Sequence, residues 1–292
     1  MTIIEALLLG LVQGITEFIP VSSSGHLAII ENLLNISREA GLPFAAAVHL
    51  ATVAAVVAAL RREIKKLLME FCRSLYDAYE NIRTYFHNRH EKDARRYKKI
   101  ISNNYRKLFL LIVIAAIPTA VEGFLLQDVA ELASGNLLAP GIGLFITGIL
   151  LLVADFFPKG KKIPRDISYS TAFVIGILQG LTVLPGVSRL GVTLAVCLAY
   201  GFQRKFAVKY TFLLSVPVII GAFLLECIHL AGNPVSLSVW ACYGAGAVFA
   251  GIAGYFCIGK MLKILQNKRF YGFSIYCFII GTAAIAGSFL IA

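Results

Sequence analysis

Six long apolar segments constrain this chain more than any other feature of its sequence. Lys and Arg are absent or nearly absent from all six, which cover residues 44–60, 108–126, 137–157, 208–230, 238–259 and 271–291. A helix needs about 20 apolar residues to cross the hydrocarbon core of a bilayer. Charged residues make up only 15% of the chain, whereas a soluble protein contains about 25%. The segments therefore predict six transmembrane helices in an all-α polytopic membrane protein.

Two further apolar segments, residues 3–34 and 169–199, are interrupted by polar residues, glycine and proline. Each has the pattern of two short helices around a break. Irregular backbone at membrane depth is tolerated only where it is buried in protein or lines an aqueous cavity. We therefore predict a re-entrant helix hairpin in each segment. The alternative is two ordinary spans per segment, joined by a surface loop.

The chain also contains an internal repeat. The sequence GLVQGIT at 10–16 matches GILQGLT at 176–182, and the spans 44–60 and 210–227 keep the same offset of 166 residues. The next spans, which begin at 108 and 238, are offset by only 130 residues, so the first half carries an insertion within 61–107.

Each half is then one hairpin followed by three spans. An odd number of crossings inverts the second half relative to the first, and inverted repeats of this kind bring their broken helices together near the midplane. The sequence predicts a single membrane domain, 1–292, made of a first repeat at 1–157 and a second repeat at 169–292.

Positive charge is distributed unevenly along the chain, whose net charge is +11. Of 27 Lys and Arg residues, 25 lie in four loops that the repeat places on one side: 61–107, 158–168, 200–209 and 260–270. Basic loops remain cytoplasmic, so this asymmetry accounts for the charge and a nucleic-acid partner is not needed. The insertion is expected to form two helices on the cytoplasmic face, in contact with membrane lipids. The sequence leaves the oligomeric state undetermined.

The first broken segment contains an acid within the membrane. Gln13 and Glu17 are four residues apart and share one helical face. Because an intramembrane acid is costly, Glu17 is a candidate for metal ligation or proton transfer. Pro20 is expected to end the first short helix.

A serine cluster follows this acid. Ser22, Ser23 and Ser24 offer hydroxyls and backbone N–H groups at a helix start, which is a favourable place for a phosphate. Each could equally be a helix cap. His26 lies one turn further on and could act as an acid, a base or a nucleophile. His49, in the span 44–60, is either structural or close to the site.

The second broken segment contains Arg189, the one basic residue inside either broken segment. A guanidinium group matches phosphate with paired hydrogen bonds. Ser188 and Thr193 could add donors beside it, and Gln179 is expected to make a helix–helix hydrogen bond. Glu17 and Arg189 could instead form only an internal ion pair, but that would not explain the serine- and glycine-rich helix starts beside them.

These segments resemble the undecaprenyl-diphosphatase family of bacterial inner-membrane lipid phosphatases. The resemblance is carried by QGITEFIPVSSSGHL at 13–27 and PGVSRLGVT at 185–193, with support from FAAAVHLATVAAV at 44–56. It implies release of the terminal phosphate of undecaprenyl diphosphate on the outer face of the membrane. This reaction would recycle the lipid carrier of cell-wall synthesis and confer bacitracin resistance.

The resemblance also implies residue roles. Glu17 is implied as the ligand of a divalent cation, Mg²⁺ or Ca²⁺, and Gln13 as its paired polar position. Ser23 and His26 match catalytic positions, without a choice of nucleophile between them. The phosphate-binding positions are matched by Ser188, Arg189 and Thr193. The alternative function is a transporter or flippase of a prenyl-phosphate lipid or small anion, since inverted repeats with broken helices also build secondary transporters.

Overall fold

A computed structural model describes residues 1–36, 38–91, 93–230, 237–267 and 269–291. Most of these residues are helical, and the only β pairing among them is one bridge between Lys162 and Phe202. The helices are α1 Ile3–Thr16, α2 Ser23–Leu33, α3 Arg38–Ala59, α4 Arg61–His90, α5 Asn104–Leu125, α6 Gln127–Ser134, α7 Leu138–Ala154, α8 Tyr169–Gly180, α9 Arg189–Ala199, α10 Arg204–Leu230, α11 Leu237–Asn267 and α12 Tyr271–Ile291.

The described helices include four that are long and apolar enough to cross a membrane, within α5, α10, α11 and α12. Two bent helix pairs, α3 with α4 and α6 with α7, raise this number to as many as six. Large apolar side chains cover much of the outer surface of these helices, as expected where lipid is the solvent. The predicted all-helical, multi-pass membrane fold is confirmed. The short helix α6, between the second and third predicted spans, was not foreseen.

The two halves of the chain exchange equivalent contacts. Helix α1 packs on α11, and its repeat equivalent α8 packs on α5. Gly10 lies against the backbone of Gly246 and Gly176 lies against the backbone of Ala115, so closely that a Cβ atom on either glycine would collide with a carbonyl group. Gly176 is 166 positions after Gly10, and Gly246 is 131 positions after Ala115. The two contacts are therefore equivalent under the offsets of the repeat. The packing is therefore compatible with the predicted repeat, whose inversion across the membrane stays a prediction.

Both interrupted segments are broken helices. Helix α1 ends at Thr16, four residues before Pro20, and α2 begins after Ser22, whose Oγ accepts a hydrogen bond from the N–H of Gly25. In the second segment α8 ends at Gly180, and Ser188 caps α9 in the same way. Each cap satisfies one free N–H group at a helix start.

The two breaks touch. Gly25 lies against the backbone of Gly186, which has a φ of 88° and so uses the left-handed conformation that glycine tolerates. The hydroxyl of Thr147 on α7 donates to the carbonyl of Gly186 and accepts from the N–H of Ser188. The sequence argument that the breaks lie together is thus supported by direct contact.

The insertion is not two helices, and that prediction was wrong. It is one 30-residue helix, α4, followed by an irregular return segment, which the structure describes at 93–103. The amide side chains of Asn81 and Asn88 on α4 bind the backbone N–H and C=O groups of Lys98 and Arg95, respectively. The return segment therefore has backbone hydrogen-bond partners without being helical.

Ion pairs and hydrogen bonds connect α4 to the start of α5. Hydrogen bonds from Asn103 and Arg106 lower the pKa of Glu70 on α4 to about 2. The Nη1 atom of Arg106 also lies 2.6 Å from a carboxylate oxygen of Asp77. These contacts keep the carboxylates of α4 on the side that faces the protein.

Candidate active site

Glu17 is the first residue beyond α1, and its side chain lies at the junction of the two broken helices. Only 6% of the side chain is exposed. One carboxylate oxygen, Oε2, accepts hydrogen bonds from Gln13 at 3.0 Å and from the hydroxyl of Ser23 at 2.5 Å. The other oxygen, Oε1, lies 3.3 Å from Nη1 of Arg189. The acid, the hydroxyl and the guanidinium are therefore joined by one carboxylate.

Arg189 reaches Glu17 across 172 positions of sequence. It is the first residue of α9, and about a quarter of its side chain is exposed. The cap that Ser188 makes on α9 fixes the start of that helix, and with it the position of the guanidinium group. The exposed part of Arg189 lines a cavity, so the group faces both an internal partner and open space.

His26 is buried and is bound at both ring nitrogens. Its Nδ1 lies 2.7 Å from the carbonyl oxygen of Ser22, and its Nε2 lies 2.8 Å from the hydroxyl of Tyr276. The two rings are also nearly parallel, with an interplanar angle of 4°. Because a carbonyl oxygen only accepts hydrogen bonds, Nδ1 carries a proton, and in the neutral ring Nε2 accepts from the tyrosine.

The remaining polar positions have mainly local partners. The hydroxyl of Ser22 contacts that of Ser24 at 3.2 Å, and Ser24 also lines the cavity. Thr193 is fully buried, and its hydroxyl contacts Oε1 of Gln179 and the carbonyl of Arg189. In the part of the chain that the structure describes, Ser22, Ser188 and Thr193 hold the helix starts in place. Their roles as substrate ligands stay predictions.

Gln179 makes the expected contact between helices: its amide group donates to the hydroxyl of Thr119 on α5. Gln13 occupies the equivalent position in the first half but donates to Glu17 instead. The repeat is therefore preserved in the backbone, whereas the two glutamines differ in their partners.

A cavity of about 870 Å³ opens from the junction. Its polar end includes Gln13, Ser24, Gln179 and Arg189, and much of its remaining wall is apolar, with residues such as Leu27, Ala116, Ala120, Leu224 and Leu225. Other polar side chains, including Glu31, Asn32, Glu131 and Glu226, also line the cavity, so the positive charge that would attract an anionic ligand lies at Arg189, at the junction.

His49 also lines this cavity, where it forms a side-chain hydrogen bond that the sequence did not reveal. Its Nδ1 lies 2.8 Å from Oε1 of Glu226 on α10. Of the two alternatives left open for His49, the structure supports proximity to the site. Glu226 was missed, although an acid within the apolar run 208–230 is a signal that could have identified it. Tyr276, in contrast, carries no signal in the sequence.

The residues around Glu17 fit a divalent cation held by oxygen ligands. No group of three or more His, Cys, Asp or Glu side chains that could form a metal site occurs among the described residues. However, the Oε1 atom of Gln13 is buried and has no hydrogen-bond partner, and it belongs to the amide group that contacts Glu17. Mg²⁺ is usually held by one or two carboxylates, waters and substrate phosphates rather than by a complete protein cage. A carboxylate with a neighbouring free amide oxygen meets that requirement.

The fold and the site together define a helical membrane protein with an acid, a hydroxyl and a guanidinium where two broken helices meet. The family model of the bacitracin resistance protein BacA matches residues 6–283, and the chain belongs to this family. The predicted family is thereby confirmed.

Several relatives match the chain over nearly its whole length. A protein of Methanosphaera stadtmanae is 35% identical over 97% of each chain. A protein of Desulfosudis oleivorans is 36% identical over 95% of this chain and 96% of its own. A protein of Alkaliphilus metalliredigens is 33% identical over 99% of this chain and 100% of its own. All three relatives are named undecaprenyl-diphosphatase.

Proposed function

We propose that this protein is a membrane phosphatase that hydrolyses undecaprenyl diphosphate to undecaprenyl phosphate and inorganic phosphate. Membership of the bacitracin resistance family and the name shared by its relatives support this activity. The observation that carries it is the Glu17 carboxylate, which joins the Ser23 hydroxyl to the Arg189 guanidinium. Recycling of the lipid carrier by this reaction would confer bacitracin resistance.

The cavity accommodates the two ends of such a substrate differently. Arg189, Ser24 and Gln13 surround its polar end, where the diphosphate would bind. Arg189 would offer paired hydrogen bonds to the terminal phosphate and stabilise charge on its oxygens in the transition state. Apolar wall residues such as Leu224 would contact the first part of the prenyl chain.

Ser23 is the nucleophile in our proposal, and Glu17 is its base. The Ser23 hydroxyl already donates to Oε2 of Glu17, which is the geometry of an activated nucleophile. Its Oγ would bond to the terminal phosphorus while the anhydride P–O bond breaks, and undecaprenyl phosphate would leave as the hydroxyl proton passes to Glu17. Water would then hydrolyse the phosphoserine, releasing inorganic phosphate. His26 is less suited to attack, because both of its nitrogens are bound.

Glu17 and the free amide oxygen of Gln13 would hold a divalent cation, Mg²⁺ or Ca²⁺, together with substrate phosphates. When bound, the cation would neutralise phosphate charge. A chelator should therefore abolish phosphate release, and Gln13→Ala should raise the cation concentration needed to restore it.

The membrane is proposed to be the bacterial inner membrane, with the site open to the outside. The four basic loops support this orientation, because they belong on the cytoplasmic side.

Inorganic phosphate release from undecaprenyl diphosphate by the purified protein in detergent tests the proposal. Ser23→Ala and Glu17→Gln should each reduce the rate by about a hundredfold or more, as expected for loss of a nucleophile or its base. Ser170→Ala, at an exposed position outside the site, is the matched serine control and should retain the rate. An unchanged rate in Glu17→Gln would exclude that residue as the base. A wild-type protein that binds the lipid without releasing phosphate would favour the alternative, a lipid transporter.

A further inference from the structure

Helix α4 leaves the membrane bundle at a right angle. It follows α3 after a single residue, Leu60, with a bend of 85° between the two helices. Because α3 is predicted to cross the membrane, the bend is expected to place α4 along the membrane plane rather than through it. A helix of 30 residues is about 45 Å long at 1.5 Å per residue, so it forms a long arm at the bilayer surface.

The polar face of α4 is turned toward the protein. Asn81 and Asn88 bind the return segment, and Glu70 and Asp77 bind Arg106. Glu63 lies 2.6 Å from Nζ of Lys209. These five inward residues follow one another at intervals of seven or four residues. They therefore lie on one side of the helix.

The opposite face of α4 is apolar and exposed. Five of its members lie one or two helical turns apart, at intervals of three, four or seven residues, and each is between 54% and 62% exposed: Leu68, Leu75, Tyr79, Ile82 and Phe86. We call these five residues the α4 stripe. A helix in water buries its apolar face against the protein and exposes its polar face, so the reversed arrangement of α4 indicates that its outer surroundings are not water.

A concave corner lies where α4 meets α3. It has a volume of about 500 Å³ and is lined by apolar residues that include Val57 on α3 and Leu68 on α4. Three basic residues also line it: Arg61, Lys65 and Arg73. Arg73 pairs with Glu70, whereas Arg61 and Lys65 are exposed and make no hydrogen bond or ion pair with any residue that the structure describes.

We propose that α4 lies in the membrane interface with the α4 stripe among the lipid acyl chains, and that the corner between α3 and α4 binds an anionic phospholipid. One acyl chain of this phospholipid would lie along α3 beside Val57, and its phosphate would bind Arg61 and Lys65. The leaflet is the one that faces the basic loops. This site is separate from the cavity at Glu17, and the proposal does not depend on the phosphatase activity.

Charge favours a lipid surface over a second copy of the chain as the occupant. The corner and the stripe are continuous with the outer surface of α3, at Val57. Two copies that met at the corner would bring their Arg61 and Lys65 residues toward each other, and like charges repel. Anionic headgroups attract the same residues, each of which contributes about fivefold to binding near such a surface.

Tryptophan fluorescence in vesicles tests the position of α4. The chain contains one tryptophan, Trp240, and Trp240→Phe provides a background for single probes. Tyr79→Trp reports on the stripe, and Asp93→Trp, on the exposed return segment, is the aqueous control. Brominated phospholipids should quench the probe at position 79, and iodide should quench the probe at position 93. The reverse pattern, or a probe at 79 that is quenched only by iodide, would overturn the proposal.

A third probe, Leu68→Trp, tests the lipid preference of the corner. Brominated phosphatidylglycerol should quench it at a lower mole fraction than brominated phosphatidylcholine, by about 25-fold if Arg61 and Lys65 each contribute about fivefold. The triple change Arg61→Gln, Lys65→Gln and Arg73→Gln should abolish the difference. A charge-matched control should retain the difference between the two lipids. This control carries Arg89→Gln, Arg95→Gln and Arg96→Gln together.

Equal quenching by the two lipids in the protein with the basic corner intact would show that no anionic site exists there. If quenching of the stripe probe instead rises as the protein is diluted with lipid, a second copy covers the stripe and the proposed membrane contact is wrong.

Discussion

At the scale of single residues, the site depends on one carboxylate with two distinct oxygens. Oε2 of Glu17 accepts from Ser23 and Gln13, and Oε1 faces Arg189. A carboxylate in this position can receive a proton on one oxygen while the guanidinium stabilises the other. The ion pair and the catalytic interpretation are therefore compatible, because the same contact that pairs the charges also places a base beside a hydroxyl.

Tyr276 is expected to be a positioning residue for His26. Tyr276→Phe removes the hydroxyl that bonds to Nε2 but keeps the stacked ring. A buried group that loses its hydrogen bond costs about 1–3 kcal/mol, so phosphate release should fall by about tenfold. The pH dependence of the rate should also change, because the neutral form of His26 loses the hydroxyl that donates to its Nε2.

The matched control is Tyr255→Phe on the exposed face of α11, which should alter neither quantity. If Tyr276→Phe has the wild-type rate and the wild-type pH profile, the contact with His26 has no part in the reaction.

At the scale of helices, close backbone approach holds the broken helices in place. The first helix of each broken pair carries a glycine that touches the backbone of a span in the other half, Gly10 on Gly246 and Gly176 on Ala115. These contacts fix the depth and rotation of α1 and α8, and thereby the positions of Gln13, Glu17 and Gln179. Packing of small residues is the usual means of helix association in lipid, where no hydrophobic force drives it.

Gly176→Ala should destabilise the protein, since its Cβ would overlap the carbonyl group of Ala115. Overpacking costs about 1–3 kcal/mol, so the thermal midpoint in detergent should fall by about 2 °C or more. Gly10→Ala should have a similar effect through the equivalent contact with Gly246.

Gly259→Ala on α11 is the control for this pair, because no atom lies within 4 Å of the added Cβ. Its midpoint should stay the same or rise slightly, since alanine favours a helix. Equal midpoints for all three variants would show that the close approach does not hold the helices.

At the scale of the whole molecule, the two halves of the chain pack against each other through equivalent pairs of helices. The contacts of α1 with α11 and of α8 with α5 are compatible with a two-fold relation. An inverted repeat further requires that equivalent loops lie on opposite sides of the membrane.

Cysteine labelling in intact cells tests the inversion. Asn136 precedes the third span of the first half, and Arg269 precedes the third span of the second half, so the repeat makes the two positions equivalent. In a Cys72→Ser background, Asn136→Cys should react with a membrane-impermeant maleimide from outside. Arg269→Cys should react only after lysis. Reaction of both from the same side would exclude the inverted topology.

The local features of the fold were predictable from the sequence. Apolar segments, breaks and helix starts depend on runs of about 20 residues or fewer, because a helix satisfies its own backbone hydrogen bonds within the segment. The meeting of Glu17 and Arg189 was also inferred, but only through the repeat, which supplies long-range information that a single segment lacks. The arrangement of the insertion was not predictable, because Asn81 and Asn88 bind backbone groups seven or more residues away that periodicity does not reveal.

The sequence by itself determined a membrane-spanning helical chain with two broken segments, and it identified the acid, serine, histidine and guanidinium in them. Hydropathy and charge are properties of short stretches, which explains why the helical membrane fold was predicted correctly; the roles of the four site residues stay predictions. Only the tertiary structure decided that His26 meets Tyr276, that His49 meets Glu226 and that α4 turns its apolar stripe outward. Those contacts join residues up to 250 positions apart, and the rotation of each helix about its axis, which packing alone sets, selects the side chains that meet.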